Sequence, residues 1–370
     1  MKIYLIAGEA SGDLHGSSLA HAIRQLDSSV TMRGWGGDLM QSAGVDVVKH
    51  YRELAFMGFA EVIANIRTIM RNFRSCKEDI LTWKPDVLLL IDYPGFNLRM
   101  AEWAKKRGIR VFYYISPQVW AWKENRVYDI IRHVDQMAVV LPFEQEFYAR
   151  YHYPVWFVGH PLLDALAGGM RDVNAIRTDL GLDSRPVIAL LPGSRRQEIR
   201  AMLPKMLEAA VGFPGYQFVL AAAPSQPDDF YAPFLAQSGA SVKLVRNRTY
   251  DVLRIARAGL VTSGTATLEA GLIGTPQVVC YRGNTLSYWI ARRLIKVKYI
   301  SLVNLILDRR LLTELIQGEL TTPNLIAELK KLTDDGPARD EVLAGYEDLR
   351  AQLGGGGASM RTAKLVLKKD

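Results

Sequence analysis

The residues best suited to chemistry cluster where short apolar runs end. Leu88-Leu89-Leu90-Ile91 runs straight into Asp92-Tyr93-Pro94-Gly95-Phe96-Asn97, so an acid closes a buried segment. Burial at such an edge lifts a carboxyl above its ordinary value of about 3.9 and makes it a better proton acceptor, so Asp92 is a candidate general base. A turn or helix N-cap aspartate is the plainer alternative. Leu191-Pro192-Gly193-Ser194-Arg195-Arg196-Gln197-Glu198 passes from an apolar run through a glycine turn, with Ser194 and Gln197 at the spacing of a capping box. Unpaired amides at a helix start attract an anion, and Arg195 can add charge-assisted hydrogen bonds, so this is a candidate phosphate cradle or a purely structural cap. Thr262-Ser263-Gly264-Thr265-Ala266-Thr267-Leu268-Glu269 is a second small-residue turn of the same kind. Two cradles in one half suit a pyrophosphate, and Glu269, about a turn inside its helix, is placed to accept both hydroxyls of a ribose, unless it is a solvated face residue.

Two further turns complete the set. Gly8-Glu9-Ala10-Ser11-Gly12-Asp13-Leu14-His15-Gly16 can turn tightly before a helix, either as an anion site or as a plain connection, but lacks the G-x-G-x-x-G spacing of dinucleotide binders. Ser116-Pro117-Gln118-Val119-Trp120-Ala121-Trp122, followed by Lys123 and Arg126, sets two tryptophans around an alanine, as a cleft wall or as packing between helices. The absences are informative too. No D-x-D pair, H-E-x-x-H or Cys/His cluster occurs, so neither a dedicated metal nor another cofactor is indicated, and leaving-group charge falls to arginine and backbone amides. No G-x-S-x-G elbow or P-loop occurs either.

The elements that must position these turns are legible as a rhythm. Apolar runs at Ile3 to Ala7, Val87 to Ile91, Val111 to Ile115, Met137 to Leu141 and Val155 to Val158 alternate with amphipathic segments, and the rhythm restarts at Val187 to Leu191, Phe218 to Ala221, Val242 to Val245, Gly259 to Thr262 and Gln277 to Tyr281. Alternation of this kind predicts βαβ units, parallel sheet and an α/β fold of two doubly wound, Rossmann-like halves facing a cleft, with ligands beyond the carboxyl ends of the strands. The 370 residues are ample for two domains, and 49% hydrophobic and 23% charged residues match an ordinary globular chain. The expected boundaries are residues 1–165, 166–340 and a C-terminal helical segment 341–370, with Gly168-Gly169 as a joint. From Asn284 onward strand signals disappear and helices follow; Gly354 to Gly357 breaks them, which leaves the last segment free to dock on the N-terminal half or on a partner subunit.

Cys76 and Cys280 form no disulfide framework, and the N-terminus reads as a first strand with no features of a secretion signal, which fits a cytoplasmic chain. A net charge of +8 favours phosphorylated ligands or anionic surfaces without choosing among them. No run approaches the ~20 apolar residues that span a bilayer, so any membrane contact is peripheral. One stretch could make it: apolar Phe59, Val62, Ile63, Ile66, Ile69, Met70 and Phe73 recur at helical spacing, flanked by Arg67, Arg71, Arg74 and Lys77. This is the pattern of a helix lying in a membrane interface, or else of a core helix.

The ordered motifs Gly8 to Asp13, Ile91 to Pro94, Ser116 to Trp122, Leu191 to Arg195, Ser263 to Glu269 and Ser301-Leu302-Val303-Asn304-Leu305 together resemble the lipid-A-disaccharide synthase family over nearly the whole chain. The resemblance implies a GT-B glycosyltransferase that needs no metal, peripheral on the cytoplasmic face of the inner membrane. Its donor would be UDP-2,3-diacylglucosamine and its acceptor 2,3-diacylglucosamine 1-phosphate (lipid X), giving a β-1,6 disaccharide and UDP. It implies Asp92 as base; Ser194, Arg195, Ser263, Gly264, Thr265, Ala266, Thr267, Glu269 and Asn304 at the nucleotide sugar; and Ser11, Gly12, Asp13, Trp120 and Arg126 toward the acceptor. It implies no nucleic-acid partner, leaves a homodimer open, and turns the 56–73 stripe from core toward membrane. The chain departs from the pattern at Gly95, where many members carry an acid, at Val303, where they carry proline, and at Lys123, where they carry arginine. A UDP-sugar 2-epimerase of the same fold, or a two-lobed binding protein without chemistry, are the competing readings.

Overall fold

The computed structural model describes residues 1–54, 66–122, 124–167, 171–283 and 297–368. Phe59, Val62, Ile63, Lys123 and the Gly168-Gly169 joint lie outside the described residues. The chain forms two compact units: Met1–Gly168 together with Leu353–Asp370, and Gly169–Gln352.

The first unit is a seven-stranded parallel sheet built from β1 (Lys2–Ala7), β2 (Thr31–Gly36), β3 (Asp46–His50), β4 (Val87–Ile91), β5 (Arg110–Tyr114), β6 (Gln136–Val139) and β7 (Trp156–Phe157), in the spatial order β3-β2-β1-β4-β5-β6-β7. The second is a six-stranded parallel sheet of β8 (Val187–Leu191), β9 (Gln217–Ala222), β10 (Val242–Arg246), β11 (Ala256–Thr262), β12 (Gln277–Tyr281) and β13 (Glu314–Ile316), in the order β10-β9-β8-β11-β12-β13. Both are doubly wound, with the strand order reversing between β1 and β4 and again between β8 and β11. A strand covered on both faces must be apolar throughout, and every residue of β4 and of β8 is buried. Each such aliphatic side chain contributes roughly 1.5–3 kcal/mol relative to exposure.

Three strands were not expected. β2 carries Gly34 and Gly36 and so lacks a continuous apolar run; at Gly34 a Cβ would stand 1.9 Å from the Leu5 carbonyl oxygen, so only glycine lets this strand pair with β1. β3 is an edge strand with no fully buried residue. β13, three residues long, lies where the sequence reads as helices alone, and it corrects that expectation: pairing with β12 from Val279↔Glu314 to Tyr281↔Ile316 forms it, not a pattern of its own.

The Pro337–Leu353 helix docks on the second sheet through buried Tyr346, whose hydroxyl donates to the Thr275 carbonyl at 3.0 Å. After the glycine break the Ala358–Leu367 helix belongs to the first unit. Asp164 accepts the amides of Gly357 and Ser359 at its start, Arg361 donates to the Val158 carbonyl at 2.8 Å, and Arg110 donates to the Val366 carbonyl at its end, also at 2.8 Å.

Candidate functional site

Every turn singled out by its chemistry follows a strand of one sheet or the other, and four of the five flank the two points where strand order reverses. In a doubly wound sheet those points open a crevice beyond the carboxyl ends of the strands. In the first unit β1 and β4 are neighbours, with Ala7 beside Ile91, so the Glu9 turn and the Asp92 turn emerge side by side. In the second unit Leu191 stands beside Val261, which brings the Gly193 turn next to the Ser263 turn.

Asp92 and Tyr93 both adopt left-handed backbone, with φ of +47° and +48°. Two successive non-glycine residues in this region cost about 1–3 kcal/mol each, so the surroundings must over-determine them. They do. Fully buried Asn97 donates from Nδ2 to the Asp92 carbonyl at 2.7 Å and to those of Ile91 and Ile6 at 3.3 Å. The Tyr113 hydroxyl donates to the same Asp92 carbonyl at 2.7 Å, and the Asp92 amide donates to Tyr114. The elbow holds the carboxyl at the end of its strand in a poorly solvated position. Burial pushes the Asp92 carboxyl up to about 7, the negative charge of Glu9 pushes the same way, and the Tyr93 amide opposes both. Tyr93 packs over the backbone at Gly8, where a Cβ would meet its ring at 2.3 Å, so only glycine fits there. Gly95 is exposed and faces open space, so an acid fits there without steric cost.

The remaining first-unit candidates divide. Ser11 and Gly12 sit in the first turn of the Ala10–Leu26 helix, with Gly12 packed against β1: a Cβ there would stand 3.1 Å from that of Ala7. Asp13, expected toward the acceptor, is instead buried with both oxygens occupied by the amides of Gly37, Leu39 and Met40 at 2.7–3.1 Å, so it caps the Asp38–Ser42 helix. Trp120 lies in the short Val119–Trp122 helix after β5; its indole donates to Glu144 Oε1 at 3.2 Å and its ring stands edge-on to Phe143 at 4.9 Å. Glu144 is buried, also accepts the amides of Val140 and Leu141, and burial pushes its carboxyl up to about 7. Arg126 is half-buried in the following 3-10 turn.

In the second unit Gly193 turns with φ +104° and the Arg196–Ala210 helix begins. The cap is one residue later than its spacing suggests: Arg195 is the N-cap and Glu198, not Gln197, reaches back, with Oε2 accepting the Ser194 and Arg195 amides at 3.3 Å. Ser263, Gly264, Thr265 and Ala266 form the companion turn and the start of the Thr265–Ile273 helix. Thr267 is buried, with its hydroxyl on the Gly264 carbonyl at 2.8 Å, so its side chain shapes this turn. Glu269 is half-buried, accepts the Tyr250 hydroxyl at 3.3 Å, and is raised above the usual carboxylate range by burial. Asn304 is placed differently from a direct sugar contact. It is fully buried, donates to the Leu312 carbonyl and Glu314, and accepts the amides of Leu311 and Leu312, so no side-chain polar atom remains for a sugar. Its reach is indirect. Glu314 accepts the amides of Ile300 and Ser301, and the Ile300 carbonyl accepts the Ser263 hydroxyl at 2.9 Å, so Asn304 is wired to the Ser263 turn through Glu314.

The basic stripe is recast as well. The helix there spans Ile66–Trp83 and turns Phe73, Cys76 and Ile80 into the core, with Phe73 stacked on Phe96 at 4.2 Å and Ile69 packed against the same cluster. Phe73 therefore packs mainly in the core rather than standing free on the surface, whereas Met70 is 63% exposed. Arg67, Arg71, Arg74, Lys77 and Arg107, with Glu78, line an open groove of about 730 Å³ whose apolar lining is Met70, Leu81, Trp103 and the edge of Phe73. Among the described residues no helix is long and apolar enough to cross a membrane, and no group of His, Cys, Asp and Glu could hold a metal ion.

Two doubly wound sheets, each with its candidate turns at the strand-order reversal, define the GT-B class of glycosyltransferases and nucleotide-sugar epimerases. Solved structures with this fold include a UDP-GlcNAc 2-epimerase from Neisseria meningitidis bound to UDP-GlcNAc, 15% identical over 100% of both chains with a TM-score of 0.70, and a calicheamicin glycosyltransferase, 17% identical over 99% of this chain and 97% of that one with a TM-score of 0.59. Within the class, residues 3–363 match the family model described as lipid-A-disaccharide synthetase. Relatives named lipid-A-disaccharide synthase are 44% identical in Geobacter metallireducens and 40% in Myxococcus xanthus, over 99% of this chain and 97% of each of theirs, and 38% identical in Coxiella burnetii over 98% and 97%. The chain belongs to the lipid-A-disaccharide synthase family, whose members are glycosyltransferases.

Proposed function

We propose that the enzyme transfers the sugar of UDP-2,3-diacylglucosamine to the 6-hydroxyl of 2,3-diacylglucosamine 1-phosphate (lipid X) by one in-line displacement with inversion. The first unit presents the acceptor and the second holds the donor. Asp92 takes the hydroxyl proton, the freed oxygen bonds to the anomeric carbon, and the bond from that carbon to the diphosphate oxygen breaks, giving a β-1,6 disaccharide and UDP. Charge growing on UDP is met by the Gly193 and Ser263 turns and the Arg195 guanidinium, while Glu269 takes the ribose hydroxyls. The observation that carries this reading is the Asp92 elbow: a carboxyl lifted to about 7, held by strained backbone, at the reversal point of its sheet. A base works best when its pKa lies near the working pH.

Turnover of UDP-2,3-diacylglucosamine with lipid X, read by product mass and UDP release, is the direct test. Asp92→Asn should fold and bind UDP yet lose about 10²–10⁴ in kcat; near-normal turnover would remove Asp92 from the mechanism. Arg195→Ala should weaken UDP binding about tenfold or more, as loss of a charge-assisted hydrogen bond implies, and unchanged affinity would remove the cradle.

Peripheral attachment to the cytoplasmic face of the inner membrane is part of the proposal, supported by exposed Met70 and the basic groove around it. Each basic residue near an anionic leaflet is worth about 1 kcal/mol. Sedimentation with phosphatidylglycerol vesicles should fall when Arg67, Arg71 and Arg74 are changed to glutamate; binding that ignores both these changes and salt would refute it.

A further inference from the structure

The anion position in the Gly193 turn is already filled by the protein's own carboxylate. Glu198 Oε2 accepts the Ser194 and Arg195 amides at 3.3 Å, and its other oxygen, Oε1, meets the Arg195 guanidinium at 3.1 Å. The same Oε2 reaches so far into the turn that a Cβ on Gly193 would stand 2.7 Å from it. The donors are aimed there from outside, because the Ser225 hydroxyl holds the Ser194 carbonyl at 3.2 Å on the opposite side of that peptide. Two amides and a guanidinium on one anion are what a diphosphate oxygen would also seek.

We infer that Glu198 is a resident anion of the donor site, displaced when a diphosphate enters and returning when UDP leaves. The inference rests on the donor reading of Ser194 and Arg195 given above. Each of the two amides has a single N–H to give, so a diphosphate that takes them requires Glu198 to swing away. Its hold is suited to that. Both amide bonds are longer than the usual 2.9–3.0 Å, and the ion pair is solvent-accessible, with Arg195 58% and Glu198 27% exposed, so screening leaves it weak. Glu198 therefore lowers affinity for donor and product alike, keeps the turn in its binding geometry between turnovers, and speeds UDP release.

The test is titration of UDP into the full-length enzyme by calorimetry, with Glu198→Gln and Glu198→Ala beside the unmodified chain. Removing the charge should tighten the UDP dissociation constant about fivefold or more in both variants, and KM for the donor and kcat should fall together as UDP lingers. A carboxylate that only caps the helix predicts the opposite, lower thermal stability with unchanged or weaker UDP binding, and that result in Glu198→Gln overturns the inference. Arg195→Ala separates the two levels. If it weakens UDP binding while Glu198→Gln fails to tighten it, the donor site stands and the resident anion falls; if Arg195→Ala has no effect, the donor reading itself fails.

Discussion

Asp92, the proposed base, costs the molecule stability at the pH where that role would require it ionised. Its carboxyl is raised from 3.8 to about 7, so between those values the folded chain keeps a proton that the unfolded chain has lost. Stability therefore falls as pH rises through that window and levels off above 7. The effect is on the order of 4 kcal/mol at most. Glu144, buried beneath Trp120 and also raised to about 7, adds to the slope in the same direction. Asp92→Asn should thus melt higher than the unmodified enzyme at pH 8 and equal it near pH 4, with melting temperature as the measurement. The activity profile runs the other way: the base must be ionised, so kcat/KM should climb through about pH 7 and then flatten, and a flat profile from pH 5 to 8 would contradict the assignment. At this scale the sequence revealed an acid closing an apolar run. It could not reveal Glu9 or Tyr113 as its partners, since their proximity follows from the order of β1, β4 and β5 in the sheet.

Among the elements, the reversal points do the positioning, and the network behind Ser263 extends them. Asn304 makes four side-chain hydrogen bonds, so Asn304→Ala leaves buried amides and carbonyls unpaired, at about 1–3 kcal/mol for each group without a partner. We expect a loss of at least 2 kcal/mol in urea unfolding together with a raised KM for the donor, because Glu314 and Ile300 no longer fix the Ser263 hydroxyl. A stable variant with lost activity would instead make Asn304 a direct ligand. Ten strands were legible as apolar runs bounded by turns. β2, β3 and β13 were not, because glycines, an exposed edge and a three-residue length each erase the hydrophobic pattern and leave pairing with a neighbour as the only cause. The Ile66–Trp83 helix was legible as amphipathic, but spacing cannot say which face is covered; the stack of Phe73 on Phe96 decides it.

For the molecule as a whole, two halves were readable from the repeated rhythm, and the four glycines marked where the last helix breaks away. Its destination was not readable, because Asp164 and Arg110, which clamp its two ends, lie about 190 and 250 residues earlier. Asp164→Ala should release the start of the Ala358–Leu367 helix, seen as faster amide exchange there while exchange in the second sheet is unchanged; equal protection in the variant would show that packing alone holds it. The discontinuity also sets an order of assembly. During synthesis the strands of the first unit emerge early, yet the helix that covers the Ala10–Leu26 face appears only after residues 169–352 have been made. The second unit is contiguous in sequence, while the first cannot complete the packing on its Ala10–Leu26 helix until the last helix has been made.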